Sequence, residues 1–297
     1  MSCDFSRLIS PFPKEAFFRD YWERQPFKLL RGDPGFYRDL LGGTDLESLV
    51  EAARPQVTEN GATFVRLEPH GGRPLSLEEA RQAYVSGRTL IFQNLQKSFP
   101  EVAILCRSLE IERKCQVLAN LFFTPPQSQG FGIHFDARDV FAVQLAGRKT
   151  WRLFENGPEL PLADHPLVEL PIGVRLEPSD EVVLSAGDVL YVPRGHFHEV
   201  VASDLPSVHI SVTLIPTRWV TLLTEALAQV ARRDVRFRRG VDPALLGEGA
   251  VSGGLEEAFR ELVAALGESI DVGEAARSLA RRYAPAHGAV PEGRLHG

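Results

Sequence analysis

TPPQSQGFGIHFDARDVFAVQLAGRKTWRLF, residues 124–154, is the stretch whose reading decides the fold. A Gly/Pro-rich loop runs into an apolar segment, a basic turn and a second apolar segment. In an extended chain, side chains two residues apart share a face. His134 and Asp136 therefore project one imidazole and one carboxylate into the same space. Two ligands on one side of a metal leave its other side open. A second histidine from elsewhere would complete a two-His-one-carboxylate facial triad, the usual cradle for non-haem Fe(II).

The second histidine is sought in GDVLYVPRGHFHEVV, residues 187–201. A turn at 185–188 leads into an apolar strand. Pro193-Arg194-Gly195 turns again into a run carrying His196 and His198 on one face. The position just past a turn is where a barrel carries a side chain inward at its mouth. Spacing alone leaves both histidines open.

Short β-like runs dominate from Val117 to residue 215, at 117–123, 140–145, 149–154, 181–184, 189–192, 197–202 and 208–215. Gly, Pro and Asp separate them. Strands at such spacing predict an antiparallel sandwich or barrel. Before them lie an amphipathic helix over 14–24 with an aromatic face, a short strand at 27–30 and helical segments at 37–41 and 45–53. A strand at 63–67, a helix from Ser76 through Tyr84, a strand at 89–92 and a helix over 98–112 follow. Ser76 has a Glu at both +2 and +3, so the partner of its capping box is ambiguous. After Pro216 three helices are predicted, at 220–233, 255–266 and 272–283, then a frayed tail.

Composition sets bounds. With 297 residues, 44% hydrophobic and 24% charged, the chain suits one large globular domain, or one domain with an appendage. The net charge of −6 argues against a general nucleic-acid binder. Three cysteines, at 3, 106 and 115, form neither a disulfide framework nor a zinc pattern and read as reduced thiols of a cytoplasmic protein. The first residues carry no signal-peptide pattern, and no run reaches the ~18 apolar residues of a membrane span.

The ordered motifs resemble those of the JmjC-domain oxygenases, and among them the ribosomal-oxygenase branch of cupin-like protein hydroxylases. The motifs are NLFFTPPQSQG at 120–130, His134-x-Asp136, Asp139-Val140-Phe141 and Gln144-Leu145-x-Gly147-x-Lys149-x-Trp151. Gly187-Asp188-x-Leu190-Tyr191-x-Pro193-Arg194-Gly195-x-x-His198 and Ser207-x-His209-x-Ser211-x-Thr213 follow. The resemblance covers roughly 117–215. It implies a mainly β fold with flanking helices: a double-stranded β-helix (jelly-roll, cupin) core over 1–216 with an N-terminal helical extension. A C-terminal helical region over 217–297 would hold dimerisation helices and a shortened winged-helix-like piece. It further implies His134, Asp136 and His198 as metal ligands, with His196 a neighbour.

The implied cosubstrate is 2-oxoglutarate. Lys149 and Thr213 would receive its far carboxylate, and Asn120 matches a polar residue on the first strand of the pocket. Phe122 stands where the family often has Tyr, so one hydroxyl is missing. His209 is expected to line the pocket and Arg194 to position substrate or stabilise its turn. Asp139 would support the site from behind. The expected activity is Fe(II)- and 2-oxoglutarate-dependent hydroxylation of a protein side chain, such as an arginine or histidine of a ribosomal protein. The expected assembly is a homodimer through the C-terminal helices. Two rival readings are a tailoring hydroxylase of a short peptide or natural product, and a non-catalytic JmjC-like binding protein.

Overall fold

The computed structural model describes residues 4–41, 57–60, 76–162, 169–170, 173–245 and 253–283. The expected helix at 45–53 and strand at 63–67 lie outside these. The chain divides into two compact units, Met1–Pro216 and Thr217–Gly297.

Among the described residues of the first unit, ten strands form two antiparallel sheets. They are β1 (Phe27–Leu29), β2 (Val57–Asn60), β3 (Thr89–Phe92), β4 (Gln116–Thr124), β5 (Asp139–Ala146), β6 (Arg148–Phe154), β7 (Asp180–Ser185), β8 (Val189–Val192), β9 (Phe197–Ala202) and β10 (Ser207–Ile215). The large sheet runs β1-β8-β5-β10-β4-β3-β2 and the small sheet β7-β6-β9. Consecutive strands β5 and β6 fall in different sheets, as do β7 and β8, and β9 and β10. The chain thus winds back and forth between two layers, which is the jelly-roll expected from the motifs. Gly147 turns the chain from β5 to β6 at φ +65°, and a Cβ there would lie 2.0 Å from the carbonyl oxygen of Pro206. Only glycine satisfies both conditions.

The pleat sorts the large sheet's residues into two environments. Val117, Ala119 and Leu121 of β4, Phe141 and Val143 of β5, Val189 and Tyr191 of β8, and Val208, Ile210, Val212 and Leu214 of β10 pack on one face. The helices cover that face: α1 (Phe5–Ile9), α2 (Lys14–Asp20), α3 (Leu77–Val85) and α4 (Pro100–Arg113). Phe17 of α2 is fully buried, its ring centroid 5.4 Å from Phe141 and 5.0 Å from Tyr191. Burying such a ring contributes about 2–3 kcal/mol. The alternate residues, including Phe122, Thr124, Val140, His209 and Ser211, face the small sheet and line a cavity.

The predicted boundaries differ from the structure mainly at the ends. The first aromatic helix stops at Asp20 and continues as turns. Ser76 caps α3 with a complete capping box, and Glu79 rather than Glu78 is its partner. Residues 37–41 form only a short 3-10 turn, Arg38–Leu40.

The second unit contains α5 (Trp219–Arg233), α6 (Gly253–Ser269) and α7 (Val272–Arg282). Glu225 of α5 accepts from Ser278 at 2.8 Å and Arg282 at 2.7 Å on α7, tying the two helices together. Among the described residues this unit holds no strand.

Candidate metal centre

His134 and His198 meet through their backbones. The His134 amide donates to the His198 carbonyl at 3.0 Å, and the His198 amide returns the bond at 2.7 Å. This antiparallel bridge aligns residues 64 apart in sequence and brings their rings to 4.4 Å between centroids. The Gly195 amide holds the Asp136 carbonyl at 2.8 Å, so the turn before His198 also fixes the third residue. Gly195 has φ +86°, and a Cβ on it would lie 1.9 Å from the Pro158 carbonyl oxygen. One ligand atom from each of His134, Asp136 and His198 lies within 4.8 Å of the others. His198 Nε2 is 3.8 Å from Asp136 Oδ2.

Each imidazole is oriented from behind. His134 Nδ1 pairs with the Gly132 carbonyl at 2.8 Å and His198 Nδ1 with the His196 carbonyl at 3.1 Å. A carbonyl only accepts, so both Nδ1 atoms carry the proton and both Nε2 atoms carry the lone pair that binds a metal. Burial, then the neighbouring His134, pushes the His198 imidazole down to about 4, which keeps it neutral as a ligand must be. His196 contributes its carbonyl to this arrangement and its ring stands outside the cluster. Two nitrogens and one carboxylate oxygen on a shared face form a donor set that fits a ferrous ion with open positions.

The cavity beside the triad has a volume of about 140 Å³. That is below the ~300 Å³ at which drug-sized pockets begin and suits a small acid. Val140, Val192, Val200, Trp151 and Phe131 give it apolar walls. Lys149 enters from β6 and is 4% exposed. Its Nζ bonds Thr124 Oγ1 at 2.8 Å and His209 Nδ1 at 2.9 Å, and no carboxylate among the described residues pairs with it. Burial pushes the Lys149 ammonium down to about 7. His209 is held well below the usual imidazole range by burial and by Lys149, and stacks on Phe122 at 4.7 Å and 9°.

The remaining expected site residues fall elsewhere. Thr213 does not line the cavity; its hydroxyl lies 3.4 Å from that of Ser211, which does. Asn120 Oδ1 accepts the Asn94 amide at 3.0 Å and is likewise outside the lining. Arg194 is no part of the cavity wall. Its guanidinium donates to Asp139 Oδ2 at 2.8 Å and also pairs with Glu23. Tyr191 donates to Asp139 Oδ1 at 2.7 Å and accepts the Glu23 amide at 2.9 Å. Asp139 is 0% exposed, so burial raises its carboxyl against the opposing pull of Tyr191 and Arg194. This buried set joins the start of β5, three residues past Asp136, to the turn preceding His198. Arg194 therefore secures that turn.

Thr89 and Thr124 line the cavity without having been singled out in the sequence. Thr124 stands at the end of a β-like run, where its face is not evident. Thr89 lies in a strand far from the motifs, and nothing near it signals a site.

The JmjC domain family matches residues 93–222. Over 254 residues, 80% of this chain, the sequence is 33% identical to a bifunctional lysine-specific demethylase and histidyl-hydroxylase NO66 of Aedes aegypti, covering 39% of that protein. It is 32% identical to ribosomal oxygenase 1 of Gallus gallus (82% of this chain, 42% of the relative). It is 30% identical to ribosomal oxygenase 2 of Bos taurus (82% and 55%). The chain thus spans between two-fifths and just over half the length of these relatives. Among solved structures, Escherichia coli ycfD superposes with a TM-score of 0.54 at 20% identity, covering 86% of this chain and 67% of that one. A second structure of YcfD, described as a ribosomal oxygenase in complex with cobalt and 2-oxoglutarate, gives a TM-score of 0.52 at 19% identity, with the same coverage. The jelly-roll and its motifs thus identify residues 93–222 as a JmjC domain.

Proposed function

We propose that this chain is an Fe(II)- and 2-oxoglutarate-dependent hydroxylase of an amino-acid side chain in a protein, with an arginine or histidine of a ribosomal protein as the substrate class. One observation carries the reading. A triad of metal-ligand type and a buried ammonium that meets no carboxylate among the described residues line the same small cavity. A buried charge is retained when something pairs with it. A small dicarboxylate that reaches from a metal to Lys149 meets both demands.

His134, Asp136 and His198 would hold the ion. Ferrous iron with 2-oxoglutarate and oxygen supplies, when bound, the oxidation of an unactivated C–H bond to an alcohol. The rest of the work falls to the chain. Lys149 binds the far carboxylate of the cosubstrate through a charge-assisted hydrogen bond. The carbonyls of Gly132 and His196 hold the two imidazoles in the ligating tautomer. The valines and Trp151 keep water from the reacting centre. The similarity to relatives named ribosomal oxygenase and histidyl-hydroxylase supports the protein-substrate class.

The assay is oxygen-dependent formation of succinate from 2-oxoglutarate with ferrous iron and a panel of ribosomal peptides, together with a mass gain of one oxygen atom on the target. Absence of both in a chain that binds Fe(II) overturns the reading. His134→Ala abolishes the product if the chain is an enzyme, whereas a non-catalytic binding protein keeps its partner.

The reading extends to a homodimer through the C-terminal helices. Trp219, Val220, Leu223 and Leu227 lie along one side of α5 and are exposed, Trp219 at 80%. An apolar stripe of this kind on a helix is what a helix–helix interface buries.

A further inference from the structure

The segment leading into His134 leaves the β9 ladder and is then held by side chains. Gln129 pairs with Val201 and His134 with His198, so residues 130–133 stand opposite only Glu199 and Val200. This is a bulge, and a bulge leaves backbone groups without ladder partners. Those groups must find others. The Phe131–Gly132 peptide finds them at both ends. Its carbonyl accepts from Gln129 Nε2 at 2.8 Å, and its N–H donates to Glu169 Oε1 at 3.1 Å. The Gly132 carbonyl, next along the chain, accepts from His134 Nδ1. Each clamping side chain is anchored in turn. Gln129 also donates to Glu199 Oε2 of β9 at 3.0 Å, and Glu199 Oε1 accepts from Arg152 of β6 at 2.9 Å. Glu169, in the connection between β6 and β7, pairs antiparallel with His134, which thus lies between His198 and Glu169. Beside that pair the Leu170 amide donates to the Ile133 carbonyl at 2.9 Å.

We infer that Gln129 and Glu169 are positioning residues for the metal ligand His134. Together they clamp one peptide plane, and that plane aims the carbonyl that fixes the imidazole. Glycine is the residue least able to hold its own carbonyl, since no Cβ restricts its φ and ψ. The clamp supplies that restriction to Gly132. Without it the Nδ1 proton loses its fixed acceptor. The ring is then free to carry its proton on Nε2, the atom whose lone pair binds a metal. Partners behind a ligating histidine set its orientation and basicity in this way. Glu169 serves as an acceptor oxygen, so a glutamine there, which keeps an oxygen in place, does the same work. His198 depends on a different carbonyl, that of His196, and stands outside the clamp. The inference rests on His134 being a metal ligand, as proposed above.

The test uses the full chain at mildly alkaline pH, where a free imidazole is neutral. Long-range proton–nitrogen NMR of the metal-free chain reads which nitrogen of each histidine carries the proton. A Co(II) titration, carried out well below the unfolding midpoint, reads metal affinity. In the wild type His134 and His198 both carry the proton on Nδ1. Glu169→Met and Gln129→Met are each expected to spread the His134 proton over both nitrogens and leave His198 as it is. Both variants weaken Co(II) roughly ten- to a hundredfold, the range for residues behind a metal-ligating histidine. Glu169→Gln behaves as the wild type. A wild-type His134 signal in Glu169→Met or Gln129→Met overturns the clamp. So does an equal shift of His198, which would report general loosening, or a loss in Glu169→Gln equal to that in Glu169→Met. A His134 proton on Nε2 in the wild type overturns it without any variant. A wild-type chain that binds no Co(II) overturns His134 as a metal ligand, a failure distinct from that of the clamp, which the metal-free spectrum reads by itself.

Discussion

Lys149 shows how one buried side chain sets the conditions of binding. Burial brings its ammonium down to about 7. A bound carboxylate favours the charged form and raises that value again. Below pH 7 the proton is already in place. Above it, binding must draw a proton from solvent, so affinity for 2-oxoglutarate is expected to fall as pH rises from 7 to 9. Calorimetry of the Mn(II)-loaded chain in two buffers of different ionisation enthalpy would register the proton uptake, and Lys149→Met would abolish binding at every pH. The metal ligands give a second expectation at this scale. Alanine at His134, Asp136 or His198 should lower Co(II) affinity by orders of magnitude and remove the visible spectrum of the bound ion, with little change in thermal midpoint. Arg194 behaves oppositely. Arg194→Met leaves the buried Asp139 with the Tyr191 hydroxyl and the backbone amide of residue 194 and no countercharge from that side chain, and removing one partner of a buried pair destabilises by about 3–5 kcal/mol. Chemical denaturation measures that loss.

Among the elements, the turn between β8 and β9 has the most to hold. Its Gly195 amide anchors Asp136, its left-handed φ admits no ordinary side chain, and it delivers His198 three residues later. Gly195→Ala would drive a methyl into the Pro158 carbonyl. It is expected both to destabilise the fold and to weaken Co(II) binding, read by a metal titration carried out well below the unfolding midpoint. The N-terminus of α3 provides the contrast. Ser76→Ala removes its capping box and should cost about 1 kcal/mol, with metal affinity untouched. The strands themselves follow from their pattern. Residues of one parity along β4, β5, β8 and β10 are apolar and face the helices, while the other parity supplies His209, Ser211, Phe122 and Thr124 to the cavity.

Across the whole molecule, the charge of −6 is carried by the first unit. Residues 217–297 hold 11 Arg and 11 acidic residues, which leaves 22 basic and 28 acidic before them. A neutral helical unit with an exposed apolar stripe suits self-association better than attraction to a polyanion. Leu223→Glu with Leu227→Glu is expected to convert a dimer to a monomer in light scattering, without changing metal binding.

The sequence by itself determined the alternation of strands, the C-terminal helices and the pairing of His134 with Asp136. Each depends on spacing within one short stretch: a period of two places side chains on a face whatever the partner strand is. The tertiary structure alone decided what depends on alignment between distant strands. The His134–His198 bridge brings into the cluster the histidine that spacing left open and the resemblance implied, and the His196 carbonyl accepts from His198 Nδ1. The register that sets Phe122 opposite His209 on β10 places Thr124 at the level of Lys149 and Thr213 four residue pairs away from His209, outside the cavity lining. Of the two roles its motif offers Arg194, positioning substrate or stabilising its turn, folding favours the second by committing it to Asp139 and Glu23. Strand parity names a face, but the height of a side chain along the barrel comes from inter-strand register. That register is fixed by hydrogen bonds between segments far apart in the chain, which no local pattern encodes.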